Sequence, residues 1–170
     1  LNGINEDELV NTLDNIISRY TIVDSVIIAG ETESQFRYNE QFIPVYQELF
    51  SNVYDRIKQK HPDVKFGNSF ALHQVLNKNL KDIVNELAIG DFVAFSYAPT
   101  DTLNEINKTP EESISELNQI FEIIPNKKIA FFEISWSTSD FVNGDSISQQ
   151  DFVEKLFNFY SQNESEIEFL

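Results

Sequence analysis

Lys128-Ile129-Ala130-Phe131-Phe132-Glu133 reads as a short buried β-strand that ends on a carboxylate. Its apolar residues run without polar alternation, the pattern of a strand covered on both faces in a parallel sheet. A second run, Val26-Ile27-Ile28-Ala29-Gly30, is β-branched, closes on a glycine and delivers Glu31. Parallel α/β folds place their chemistry at the C-terminal ends of strands. Two such deliveries suggest a carboxylate pair, and a carboxylate pair suggests cleavage of a glycosidic bond.

Working outward from these runs, strands and helices alternate. A helix is expected over Glu6–Tyr20, where Leu9, Leu13, Ile16 and Ile17 recur at helical spacing, and a strand over Asp24–Gly30. Glu31–Glu40 reads as a polar loop, and Phe42–Lys60 as a long helix stopped by His61-Pro62-Asp63. Val64–Phe70 is the next strand, Val75–Leu87 a single helix, and Gly90 its stop before the strand Asp91–Tyr97. Thr109-Pro110-Glu111-Glu112 is a strong helix start, with an N-cap, proline at the first position and acids in the first turn. Ser135–Ser146 is a polar loop, Ser148–Tyr160 a helix, and Ile167-Glu168-Phe169-Leu170 the beginning of a fifth strand. Single helices between strands imply a parallel sheet with right-handed crossovers. Such a sheet is either open and doubly wound or the second half of an eight-stranded barrel, and a barrel typically needs about 250 residues.

At 170 residues the chain is sized for one domain spanning 1–170. No apolar run approaches the roughly 20 residues that span a bilayer. The formal charge of −16 disfavours binding to nucleic-acid phosphates but does not penalise a neutral substrate. With no cysteine, disulfides and thiolate metal sites are excluded. The two histidines, His61 and His73, are isolated and make no zinc pattern, so no metal is expected. Gly3 and Gly30 belong to no phosphate-cradling motif, and no serine sits in a nucleophile elbow.

Each candidate has an ordinary alternative. Glu31 could be a solvated loop acid, with Glu33 two residues on as a competing carboxylate. Glu133 lies between apolar neighbours, where an unpaired charge is costly and therefore more often functional. Tyr97 closes the neighbouring strand and could hydrogen-bond a nucleophilic carboxylate, or simply cap the core. Trp136, the single tryptophan, could be a sugar platform or ordinary packing beneath a loop. His73 could face the strand-end mouth or begin the next helix.

The segments Ala29-Gly30-Glu31-Thr32-Glu33-Ser34-Gln35-Phe36, Phe95-Ser96-Tyr97-Ala98-Pro99, Phe132-Glu133-Ile134-Ser135-Trp136-Ser137 and Gly144-Asp145-Ser146 through Phe152-Val153 together resemble clan A retaining glycoside hydrolases. They are similar, in order, to that family's fourth-, sixth- and seventh-strand motifs and the opening of its next helix. The resemblance implies the second half, about strands four to eight, of a (β/α)8 barrel, with the N-terminal strands supplied by further chain. It implies Glu31 as acid/base, Glu133 as nucleophile and Tyr97 as its orienting partner, with Trp136, Glu33 and His73 toward substrate. The expected substrate is a β-linked oligosaccharide or polysaccharide, cleaved with retention and without a cofactor, by a secreted or periplasmic protein. Gly30 stands where the family has an asparagine, and reading Gly30 as the motif's own glycine sets Thr32 at the acid/base position. This departure leaves a second expectation: a catalytically inactive barrel that binds glycan or serves as a scaffold.

Overall fold

A computed structural model describes residues 5–20 and 22–170, leaving Gly3 outside the described residues. Five strands form one sheet: β1 (Ser25–Ala29), β2 (Lys65–Ala71), β3 (Phe92–Tyr97), β4 (Lys128–Ile134) and β5 (Ile167–Phe169). Every neighbouring pair is parallel. Their order across the sheet is their order along the chain. A doubly wound sheet reverses its order at a switch point. No reversal occurs here, which removes the doubly wound alternative.

The connecting helices are α1 (Glu6–Arg19), α2 (Thr32–Phe36), α3 (Ile43–Lys60), α4 (Leu72–Asn77), α5 (Lys81–Leu87), α6 (Pro110–Asn118), α7 (Ile120–Ile123) and α8 (Ser146–Asn163). Local chemistry accounts for several of their ends. The Asn5 side chain accepts from the Asp7 and Glu8 amides and starts α1. Thr109 and Glu112 form a reciprocal capping box at α6. Two expectations are corrected. The stretch expected as one helix over Val75–Leu87 is two helices, broken where Asn79 adopts φ 53, a left-handed conformation that asparagine tolerates. The stretch expected as a loop after Glu31 holds α2, because Phe36 is buried against Tyr46 at 5.2 Å between ring centroids.

Strand alternation sorts side chains between two unlike faces. Phe70, Val93, Phe95, Tyr97, Ile129 and Phe131 join the large core made with the helices. Phe66 joins a second cluster with α1 and α3. The opposite face carries a small cluster of Phe92, Ala94 and Ala130, with Ile27 and Phe169 against it, and no helix residue takes part. Close packing there depends on Gly67, since a Cβ at that position would lie 2.3 Å from the Phe92 carbonyl. On the helix side, buried Asn68 accepts from Tyr46 Oη at 2.6 Å and donates to the Leu87 carbonyl at 3.0 Å. Among the described residues no helix is long and apolar enough to cross a membrane.

Candidate functional site

Glu31 follows β1 after Gly30 and adopts φ 46, ψ 50. This left-handed conformation costs a non-glycine residue roughly 1–2 kcal/mol, so neighbouring contacts must hold it. Its amide donates to Ser69 Oγ at 3.1 Å. Its carbonyl accepts from Ser34 Oγ at 2.8 Å. Its carboxylate then reaches past β2, where Ser96 Oγ of β3 donates to Glu31 Oε1 at 3.2 Å. Thr32, the other reading of the acid/base position, is buried, and its hydroxyl donates to the Ser69 carbonyl at 3.0 Å.

Ser96 also locates Glu133. The β3–β4 ladder runs Ala94 with Ala130 and Phe95 with Phe131, then skips Phe132 and pairs Ser96 with Glu133. An extra residue in a strand re-aims the side chains beyond it. Without the skip, Phe132 would stand beside Ser96. With it, Glu133 is the exposed residue beside Ser96, and paired residues of neighbouring strands project to the same face. Adjacent strands lie about 4.8 Å apart. The Glu31 carboxylate is therefore fastened one strand away from the point where Glu133 leaves β4, on the helix-free face.

Tyr97 does not join them. Because Ser96 faces the open side, the next residue faces the helices. The Tyr97 hydroxyl donates to Glu116 Oε2 at 2.7 Å, and its ring lies 6.5 Å from that of Phe152. Burial raises its phenol well above the usual range, and Glu116 adds to the rise while Ser113 opposes it. The expected contact between Tyr97 and Glu133 is not made. Trp136 is likewise 7% exposed, with its ring 5.0 Å from Phe152 and its carbonyl accepting from Gln149 Nε2 at 2.7 Å. It packs in the helix-side core and presents no open face as a platform.

Glu33 and His73 gather instead around Glu31, in a groove of about 450 Å³ between α2 and α4. Glu33 is 1% exposed, and neither of its carboxyl oxygens completes a hydrogen bond. Burial pushes its pKa up to about 7, with the Glu31 charge adding to the rise. The nearby Glu33 and Ala71 amides and Lys78 pull the other way. His73 is the second residue of α4, at the helix start, and lines this groove. Its Nδ1 is buried without a partner, and burial lowers its pKa.

Ser69 had no motif to mark it, and Ser96 lay within the Phe95–Pro99 segment without an assigned role. The signal they share is a small polar residue on the strand face opposite Phe70 and Phe95. Arg37 and Lys78, which border the groove, lie in stretches that read as loop and mid-helix. The chain matches no protein-family model, no curated protein and no solved structure.

Proposed function

We propose that this chain is the C-terminal part of an eight-stranded α/β barrel and that it cleaves β-glycosidic bonds with retention. In this reading Glu133 attacks the anomeric carbon and forms the glycosyl intermediate. Glu31 protonates the leaving oxygen, then takes a proton from the water that releases the sugar. The Ser96–Glu31 hydrogen bond carries the proposal. It brings a β1 carboxylate to β3 at the position paired with Glu133. A retaining pair requires carboxyls about 5–5.5 Å apart, on the order of one strand spacing.

The sheet supports the same reading. Consecutive strand order, helices on one face and a small apolar cluster on the other are what a section of a singly wound barrel would present. β1 and β5 are its two edges, and they would pair with the remaining strands of the barrel. Thr32 is engaged through its hydroxyl, which favours Glu31 as the acid/base.

The test is hydrolysis of aryl β-glycosides and β-linked polysaccharides by the full-length protein and its Glu133→Gln and Glu31→Gln variants. Glu133→Gln is expected to abolish turnover. Glu31→Gln is expected to lower it about 10²–10⁴-fold, most on poor leaving groups. Turnover by Glu133→Gln equal to the parent's would reject Glu133 as the nucleophile.

A further inference from the structure

The groove beside Glu31 is richer in cations than the protein as a whole, with Arg37 and Lys78 matching Glu31 and Glu33 in number. The chain carries 28 acids against 12 bases. Arg56, Lys58, Lys60, Lys65, Lys108 and Lys155 each pair with a carboxylate. Arg19, Arg37, Lys78, Lys81, Lys127 and Lys128 form no ion pair among the described residues, and two of them, Arg37 and Lys78, border this one groove. Arg37 is held in place by stacking, its guanidinium 4.2 Å from the centre of the Tyr38 ring. It therefore offers a planar set of donors already ordered for a carboxylate. The Lys78 ammonium, at the C-terminal end of α4, donates to Gln74 Oε1 of the same helix.

The floor of the groove has polar groups without partners. Both Glu33 oxygens and His73 Nδ1 are buried with their hydrogen-bonding capacity unused. Orphaned buried groups of this kind are costly, and a hydroxylated ligand would satisfy them.

We propose that this groove binds an anionic sugar, a uronic acid residue whose carboxylate pairs with Arg37 and Lys78 while its hydroxyls engage Glu33 and His73. The assignment rests on the glycosidase reading for its position: the groove lies at the acid/base carboxylate, so the uronic acid occupies the leaving-group side of the scissile bond. The substrate class is then an acidic glycan. Protonation of Glu33 favours such a ligand. Burial pushes the pKa of Glu33 up to about 7, and its ionisation above that adds a negative charge beside the ligand. Burial lowers the pKa of His73 and so disfavours its charged form.

The experiment is calorimetric titration of the full chain with cellobiouronate and with cellobiose, at about pH 6 and about pH 8.5. Cellobiouronate is expected to bind about tenfold more tightly at the lower pH, two partly exposed charge pairs being together worth about that much. Arg37→Ala combined with Lys78→Ala should erase the preference for cellobiouronate over cellobiose. Glu33→Gln should keep the preference and flatten its pH dependence. Equal affinity for the two disaccharides, or a preference unchanged in the Arg37→Ala, Lys78→Ala protein, would overturn the assignment. Binding and hydrolysis are read separately. A preference without turnover rejects catalysis alone, and turnover of neutral glycans without a preference rejects the anionic subsite alone.

Discussion

Glu33→Gln isolates the energetic consequence of burying a carboxyl group at the groove. An ordinary glutamate titrates near 4.5, and Glu33 titrates near 7 because burial disfavours its charged form. Between these values the folded protein holds a proton that the unfolded chain has released. Stability from this group is therefore fully present below 4.5 and declines as pH rises to about 7. The gap corresponds to about 3 kcal/mol, at about 1.4 kcal/mol for each tenfold change. A glutamine cannot ionise, so any constant penalty for its buried amide is the same at every pH. The difference in unfolding free energy between variant and parent should therefore move by about 3 kcal/mol in favour of Glu33→Gln from about pH 4 to about pH 8. For a domain of this size that is roughly 6–12 °C in midpoint temperature. Urea unfolding of both proteins across the range measures it, and titrations common to both cancel in the difference. A stability difference that stays constant with pH would refute the reasoning, since Glu33 would then ionise alike in the folded and unfolded chains.

Three further outcomes are expected. Asn68→Ala strips partners from the Tyr46 hydroxyl and the Leu87 carbonyl in the core; it should lower unfolding free energy by about 2–5 kcal/mol, and Tyr46→Phe in the same background should recover part of the loss. Glu31→Gly relieves the left-handed backbone at φ 46 and should raise stability by up to about 1–2 kcal/mol in urea unfolding while removing glycoside turnover, which separates the strain from the chemistry. Gly30→Asn is accommodated, since a Cβ there meets only Ser69 Oγ at 3.8 Å; the variant should fold with stability within about 1 kcal/mol of the parent by thermal melting, and should raise turnover of aryl β-glycosides.

The strands were legible because their signals are local. Unbroken apolar runs at 26–29 and 129–132, each followed within two residues by an acid, have few other readings. The helices α1, α3, α6 and α8 were legible from their stripes and caps, with Thr109 the clearest. The break at Asn79 was not, because the apolar period of Leu76, Leu80 and Ile83 continues across it. α2 was hidden in a polar segment, and the distant ring of Tyr46 that anchors Phe36 has no local trace. The same limit applies to Tyr97 and Trp136. Residue type suggested a phenol beside a nucleophile and an indole at a mouth, but strand parity and the Phe152 side chain turned both into the helix-side core.

The candidate site depends most on two irregularities that periodicity cannot reveal. One is the skipped residue in β4. A perfect ladder would set Phe132 beside Ser96 and send Glu133 to the helix side, where its charge would be buried. The other is the left-handed turn at Glu31, which takes the chain out of β1 and lets a carboxylate of limited reach arrive at β3. Either irregularity alone would leave one acid without the other. Both occur at the C-terminal ends of their strands, and Ser96 touches both, as hydrogen-bond donor to Glu31 and as ladder partner of Glu133. Packing alone has no need for this arrangement, since the left-handed turn is strained, the two carboxylates are exposed, and Phe132 is 41% exposed as a result of the skip. Strain kept at a polar rim on the helix-free side is better explained by what the two carboxylates do together than by what either contributes to the core.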